Sequence, residues 1–160
     1  MIHKKNYYSL LCWIILFEII AYLMGMISKT GIDEWYVGIN RSSLTPPNYI
    51  FPIVWPILYA MIATAGWYLW SIPNNSLSLS ISKNCFIIQT LLNWAWSPIF
   101  FYFHLPNLAL MCIVLIILFT LTIIYKSYKS QPKVSMLLGP YVLWSMFAFY
   151  LNAYICIYNG

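Results

Sequence analysis

Apolar residues run along the chain in five long stretches, roughly 8–28, 49–71, 84–103, 107–126 and 134–158, with polar residues gathered between them. Each stretch is close to the ~20 residues that a helix needs to cross about 30 Å of hydrocarbon. The apolar positions are continuous and do not alternate in ten-residue segments, so the pattern predicts helices and not the strands of a membrane barrel. The resulting expectation is an all-α integral membrane protein, a bundle of five transmembrane helices forming one domain over residues 1–160. The first stretch reads as a span and not as a cleaved leader. Lys4 and Lys5 precede it, but it holds Glu18 and ends in Met26-Ile27-Ser28-Lys29, without a small-x-small cleavage pattern.

The connections at 72–83, 104–106 and 127–133 are short; the first, about 29–48, is long. It carries Asp33, Glu34, Trp35, Tyr36 and the Pro46-Pro47 step, and a long loop among short ones points to function. No internal repeat suggests a transporter of two inverted halves.

Within the spans, the polar residues fall on helical faces. Gln89, Asn93 and Ser97 sit at i, i+4 and i+8, with Trp96 flanking Asn93. Trp55, Tyr59 and Ala63 repeat that spacing, continued by Gly66 and Trp70, and Tyr141, Trp144, Ser145, Ala148 and Asn152 share a face of the fifth span. The first span offers Glu18, Tyr22 and Gly25; the fourth is nearly featureless and reads as a packing or lipid-facing helix. Polar groups left bare in hydrocarbon are costly, so these faces must meet one another, a cavity or a second copy of the chain. For Gln89 and Asn152 the simplest role is to hold helices together. Trp55 and Trp144 instead have small residues along their own faces, which leaves room for a flat guest in an aromatic-walled pocket. Trp13, Trp35 and Trp70 fit the headgroup belt. Glu18 is either functional or a neutral group hydrogen-bonded between helices.

Composition and charge narrow the partners. The chain is 62% hydrophobic and 7% charged, against about a quarter charged in soluble domains, so a soluble core is excluded. If the spans alternate, Lys4, Lys5, Lys83, Lys126, Lys129 and Lys133 share one side, and Lys29 and Arg41 the other. For an inner membrane this places the N terminus inside. Topology and anionic lipid account for the net charge of +5 without a nucleic-acid partner. Cys12, Cys85, Cys112 and Cys156 lie singly in four spans, form no CxxC, and read as buried inert thiols; no metal site is expected.

Several of these residues together resemble one family. Trp35-Tyr36, Leu44-Thr45-Pro46-Pro47, Phe51, Val54-Trp55 and Leu58-Tyr59 are followed by Leu92-Asn93-Trp94-Ala95-Trp96-Ser97-Pro98-Ile99-Phe100-Phe101. Pro140-Tyr141-Val142-Leu143-Trp144, Phe147-Ala148 and Leu151-Asn152 complete a pattern similar to the translocator protein family, the tryptophan-rich sensory proteins or peripheral benzodiazepine receptors. The likeness covers about residues 10–155. It implies a five-helix bundle, often a homodimer, with a pocket opening toward the long loop. It also implies binding of porphyrins such as protoporphyrin IX or haem, and of benzodiazepine-type or isoquinoline-carboxamide ligands, with no cofactor required.

Carried over by position, Trp55 and Trp144 match the tryptophans proposed for light-dependent porphyrin degradation in bacterial relatives. Tyr59, Asn93 and Ala148 match pocket positions, with Trp96, Ser97 and Phe147 beside them. Trp35, Tyr36, Pro46 and Pro47 match the lid. Two departures stand out. The family's loop commonly reads KPxWxPP, whereas Leu44 here stands in the tryptophan's place. The animal sterol motif needs a basic residue after its tyrosine, and residues 154–160 contain none, which points to a bacterial-type member.

Ordinary catalytic machinery is absent from the sequence. His3 and His104 are the only histidines, no carboxylate pair lies in a span, and no nucleophile stands beside a base. Three readings follow: a membrane protein that senses, carries or sequesters tetrapyrroles; photo-oxidative porphyrin breakdown at Trp55 and Trp144; or a structural bundle.

Overall fold

The computed structural model describes residues 7–73 and 76–159, without the side chains of Asp33 and Glu34. Lys4, Lys5, His3 and those two carboxylates therefore lie outside the described residues. Five long helices account for the chain: α1 Tyr7–Gly31, α2 Phe51–Trp70, α3 Leu77–Ser97, α4 Pro106–Ser127 and α5 Pro132–Tyr158. Around the bundle, α1 packs on α2, α2 on α5, α5 on α4, α4 on α3, and α3 returns to α1.

Four of the helices are long and apolar enough to cross a membrane: α1, α2 with the short turn before it, α4 and α5. The third has 21 residues but is the most polar of the five, with three serines, Lys83 and Asn84 in its first half. It also starts earlier than the apolar run at 84. Ser76 caps it by accepting from the Leu79 amide at 3.2 Å, and the Ser78 hydroxyl donates to the Lys126 carbonyl on α4. The second half of the 72–83 connection is thus the capped start of α3.

Two wide π turns lie at one end of the bundle, Ile32–Tyr36 after α1 and Pro98–Tyr102 after α3. A proline inside a helix lacks its amide and crowds the carbonyl four residues back. At Pro98 the chain answers by widening into a π turn, closed by the Phe103 amide on the Pro98 carbonyl at 2.9 Å. His104 then takes a left-handed conformation (φ 53°) and turns the chain into Pro106. Histidine is among the side chains that tolerate that region best.

The helix ends sort the loops. The long connection lies at the end of the bundle that holds the C terminus of α5: the Asn40 amide donates to Asn159 Oδ1 at 2.7 Å, and Asn159 Nδ2 returns a bond to the Asn40 carbonyl at 2.9 Å. Ser42 and Tyr150 share a hydroxyl bond at 2.8 Å. At the opposite end, Lys83 Nζ donates to the Ile72 carbonyl, and Lys126, Lys129 and Lys133 lie over Tyr125, Tyr128 and Tyr68.

The core runs between α2, α3, α4 and α5, with Leu58, Ile62, Leu69, Phe86, Ile116, Ile123, Leu138 and Tyr141 buried. Leu11, Ile15, Leu16, Ile19 and Leu23 line the outside of α1, as expected of a helix facing lipid. Cys12 is exposed on the same helix and Cys156 is half-buried, whereas Cys85 and Cys112 are buried, so the expectation of four buried thiols fails at Cys12 and holds only in part at Cys156.

Candidate ligand cavity

A cavity of about 1140 Å³ opens among α1, α2, α3 and α5 at the end that carries the long connection. The fourth helix contributes nothing to its wall, in keeping with its plain sequence. Glu18, Tyr22 and Gly25 of α1 line one side; Trp55 and Tyr59 come from α2, Asn93, Trp96 and Ser97 from α3, and Trp144, Phe147 and Ala148 from α5. The spacing arguments thus converge on one space, and Trp55, Trp96 and Trp144 bring an indole to it from three helices.

Below Trp55 the wall closes. Trp55 meets Tyr59 edge-on with ring centroids 5.8 Å apart, and Ala63 is fully buried. Gly66 serves a packing role: a Cβ there would come within 2.6 Å of the Phe86 and Trp13 rings. Trp70 packs with these same rings, 5.6 Å from Trp13 and 5.7 Å from Phe86. The apparent stripe of α2 therefore faces guest space only in its upper half. Phase on a helix is legible in spacing, but the depth at which a neighbour closes in is not.

Asn93 is the polar centre of the floor. Tyr59 Oη donates to its Oδ1 at 2.7 Å, and its Nδ2 donates to Tyr141 Oη at 2.9 Å. One amide thereby ties α2, α3 and α5 together below the cavity. Gln89, one turn further along the stripe, is fully buried outside the cavity wall, with Nε2 donating to Thr90 Oγ1 at 2.8 Å. Asn152 lines the cavity and donates to the Pro106 carbonyl at 2.8 Å, fastening α5 to the start of α4. Trp94 and Trp96 separate as their ~200° offset on a helix requires. Trp96 stacks on Phe100 at 5.0 Å in the cavity wall, while Trp94 packs edge-on against Phe17 at 5.6 Å.

The residues of the long connection divide. Tyr36 lines the cavity; Trp35, Pro46 and Pro47 do not. Trp35 stacks on His104 with centroids 4.8 Å apart and meets Phe100 edge-on at 5.4 Å. It acts as a clamp between the two π turns. Those turns also supply wall residues that helical spacing missed, Ile32 from the first and Phe100 and Phe101 from the second. A long loop is the expectation for 29–48, but α1 and its π turn carry helical structure to Tyr36. Leu44 is exposed.

Burial pushes the Tyr36 phenol above its usual pKa of 10, and the Arg41 guanidinium, 5.0 Å over the ring, pulls partly back. The folded loop thus favours the neutral phenol. Its contribution is whole below pH 10 and is lost as pH rises through the raised value. Protease protection of residues 37–47 should fall above pH 10 in the wild type, and a Tyr36→Phe variant should lose that pH dependence.

The fold and cavity define a class: a membrane helical bundle with an aromatic-walled internal site. The sequence profile of the TspO/MBR family matches residues 13–158, and the chain belongs to that family. The tryptophan-rich protein TspO of Archaeoglobus fulgidus is 33% identical over 142 residues, 88% of this chain and 90% of that protein. TspO of Chlorobaculum tepidum is 36% identical over 126 residues, 74% of this chain and 75% of its own. The translocator protein of Sus scrofa is 28% identical over 141 residues, 85% and 83% of the two chains.

Proposed function

We propose that the protein binds a flat, largely apolar ligand of the porphyrin or tetrapyrrole class within the membrane, for sensing, carriage or sequestration. The observation that carries this reading is the 1140 Å³ cavity with Trp55, Trp96 and Trp144 in its wall. Small-molecule sites run to about 1,000 Å³, so this one has room for a macrocycle, and indole faces suit stacking on one. The translocator name of the pig relative agrees with carriage. With the lysine-rich end of the bundle inside, the cavity mouth faces outward.

Protoporphyrin IX titrated into the detergent-solubilised protein should quench tryptophan fluorescence saturably; no quenching would sink the reading. Changing Trp55 and Trp144 together to leucine should weaken binding about tenfold, from two lost aromatic contacts.

A second reading, light- and oxygen-dependent porphyrin breakdown, is favoured by one arrangement. Trp55 touches Tyr59, whose hydroxyl leads through Asn93 to Tyr141, so oxidisable side chains run away from the cavity. If the illuminated complex bleaches no faster than that of a Trp55→Phe, Trp144→Phe variant, this second reading is wrong.

A further inference from the structure

Glu18 lies halfway along the 25-residue α1 and lines the cavity. Among the described residues it has neither a hydrogen-bond nor an ion-pair partner. Among the described side chains, one other charged group lines the same space, Lys29. It lies on the same face of α1 but eleven residues on, about 16 Å along the axis, too far to pair with the carboxylate. Two polar groups of the cavity floor are already engaged: Tyr59, within electrostatic reach of Glu18, donates its hydroxyl to Asn93, and both ends of the Asn93 amide are taken. A helix could have carried leucine here at no cost to packing, since the position borders open space. A carboxylate midway through a span needs a counter-charge or a set of donors, and the described residues supply neither.

Resting on the ligand-binding reading above, we propose that Glu18 is a specificity-determining residue, which selects flat ligands bearing a protonated or N–H-rich nitrogen group at mid-cavity depth. The aromatic walls hold the ligand's plane, and the carboxylate accepts from its nitrogen. A charged hydrogen bond in a site of low dielectric discriminates strongly against an uncharged analogue. Lys29, near the mouth, leaves room at the other end for an acidic substituent.

The test uses the full chain in a neutral detergent at pH 7.5 and two probes: 9-aminoacridine, a flat cation, and acridine, its flat neutral parent. Affinities are corrected for uptake by empty micelles, and displacement by protoporphyrin IX locates the site. The wild type should prefer the cation by about tenfold or more, the scale of one charged hydrogen bond. Glu18→Gln should lose the preference between the two probes, and Glu18→Asp should keep most of it. Equal affinities in the wild type, or a preference that survives in Glu18→Gln, overturns the role of Glu18 and leaves the ligand-binding reading standing. If neither acridine nor protoporphyrin binds, both readings fall.

Discussion

Asn93→Leu should destabilise the bundle by about 2–3 kcal/mol, more than any other single polar-to-apolar change in the cavity wall. The amide accepts from Tyr59 and donates to Tyr141, so the substitution strands two buried phenols at once. Interhelical hydrogen bonds in membranes are worth only about 0.6 kcal/mol each on average. A buried polar group left without a partner, however, costs about 1–3 kcal/mol, and leucine offers neither phenol an alternative. Asn152→Leu is the matched control. It removes the bond to the Pro106 carbonyl and a weak contact with Cys156, and should cost about 1 kcal/mol. Thermal unfolding in detergent reads both. A double-mutant cycle between Asn93→Leu and Tyr141→Phe should show coupling of about 1 kcal/mol, since the second change removes one of the stranded hydroxyls. Porphyrin affinity should also fall more in Asn93→Leu, because Tyr59 stands in the wall and loses its anchor. Equal effects from the two asparagines would show that the Asn93 junction does not organise the cavity floor.

Much of this site was legible in spacing because a membrane helix has few reasons to carry polar or small residues. Glu18, Tyr22 and Gly25, the Asn93–Ser97 stripe, and Trp144 with Ala148 all recur at helical intervals and all reach the cavity. Periodicity reports direction around an axis. It cannot report where along the axis a neighbour's side chain fills the space, which is why Gly66 continues the Trp55–Tyr59 face in spacing yet lies against Phe86 and Trp13. Nor does it register a change of helical pitch. Trp35 and Phe100 are placed by π turns, in which the angle per residue is smaller than in an α-helix, so their facing could not be read from a 3.6-residue repeat. The polar bias of 77–83 was likewise ambiguous, since serines serve turns, caps and buried helix contacts alike. The C-terminal tie between Asn40 and Asn159 joins residues over a hundred positions apart and has no local signature.

The close approach of the two π turns sets the second large effect, expected at Gly31→Ala. A Cβ at Gly31 would overlap the carbonyl oxygen of Phe101 and come within 2.7 Å of its Cβ. The obstacle is backbone at the root of a π turn and not the free end of a side chain, so either the last turn of α1 or the Pro98–Tyr102 segment must move. Overpacking of this kind costs about 1–3 kcal/mol, and the movement is transmitted to Ile32, Phe100 and Phe101 in the cavity wall. Gly25→Ala, six residues earlier on the same helix, should do the opposite. Its Cβ would meet nothing within 4 Å, and alanine is favoured over glycine inside a helix by about 1 kcal/mol. The two glycine variants should therefore shift the unfolding midpoint in opposite directions, down for Gly31 and unchanged or up for Gly25. Ligand affinity should drop in Gly31→Ala through displaced walls, whereas in Gly25→Ala it should change only by the volume of one methyl group. A Gly31→Ala protein as stable as the wild type would mean that the end of α1 does not bear directly on the Phe101 turn, and that the cavity mouth is held by the Trp35–His104 stack instead.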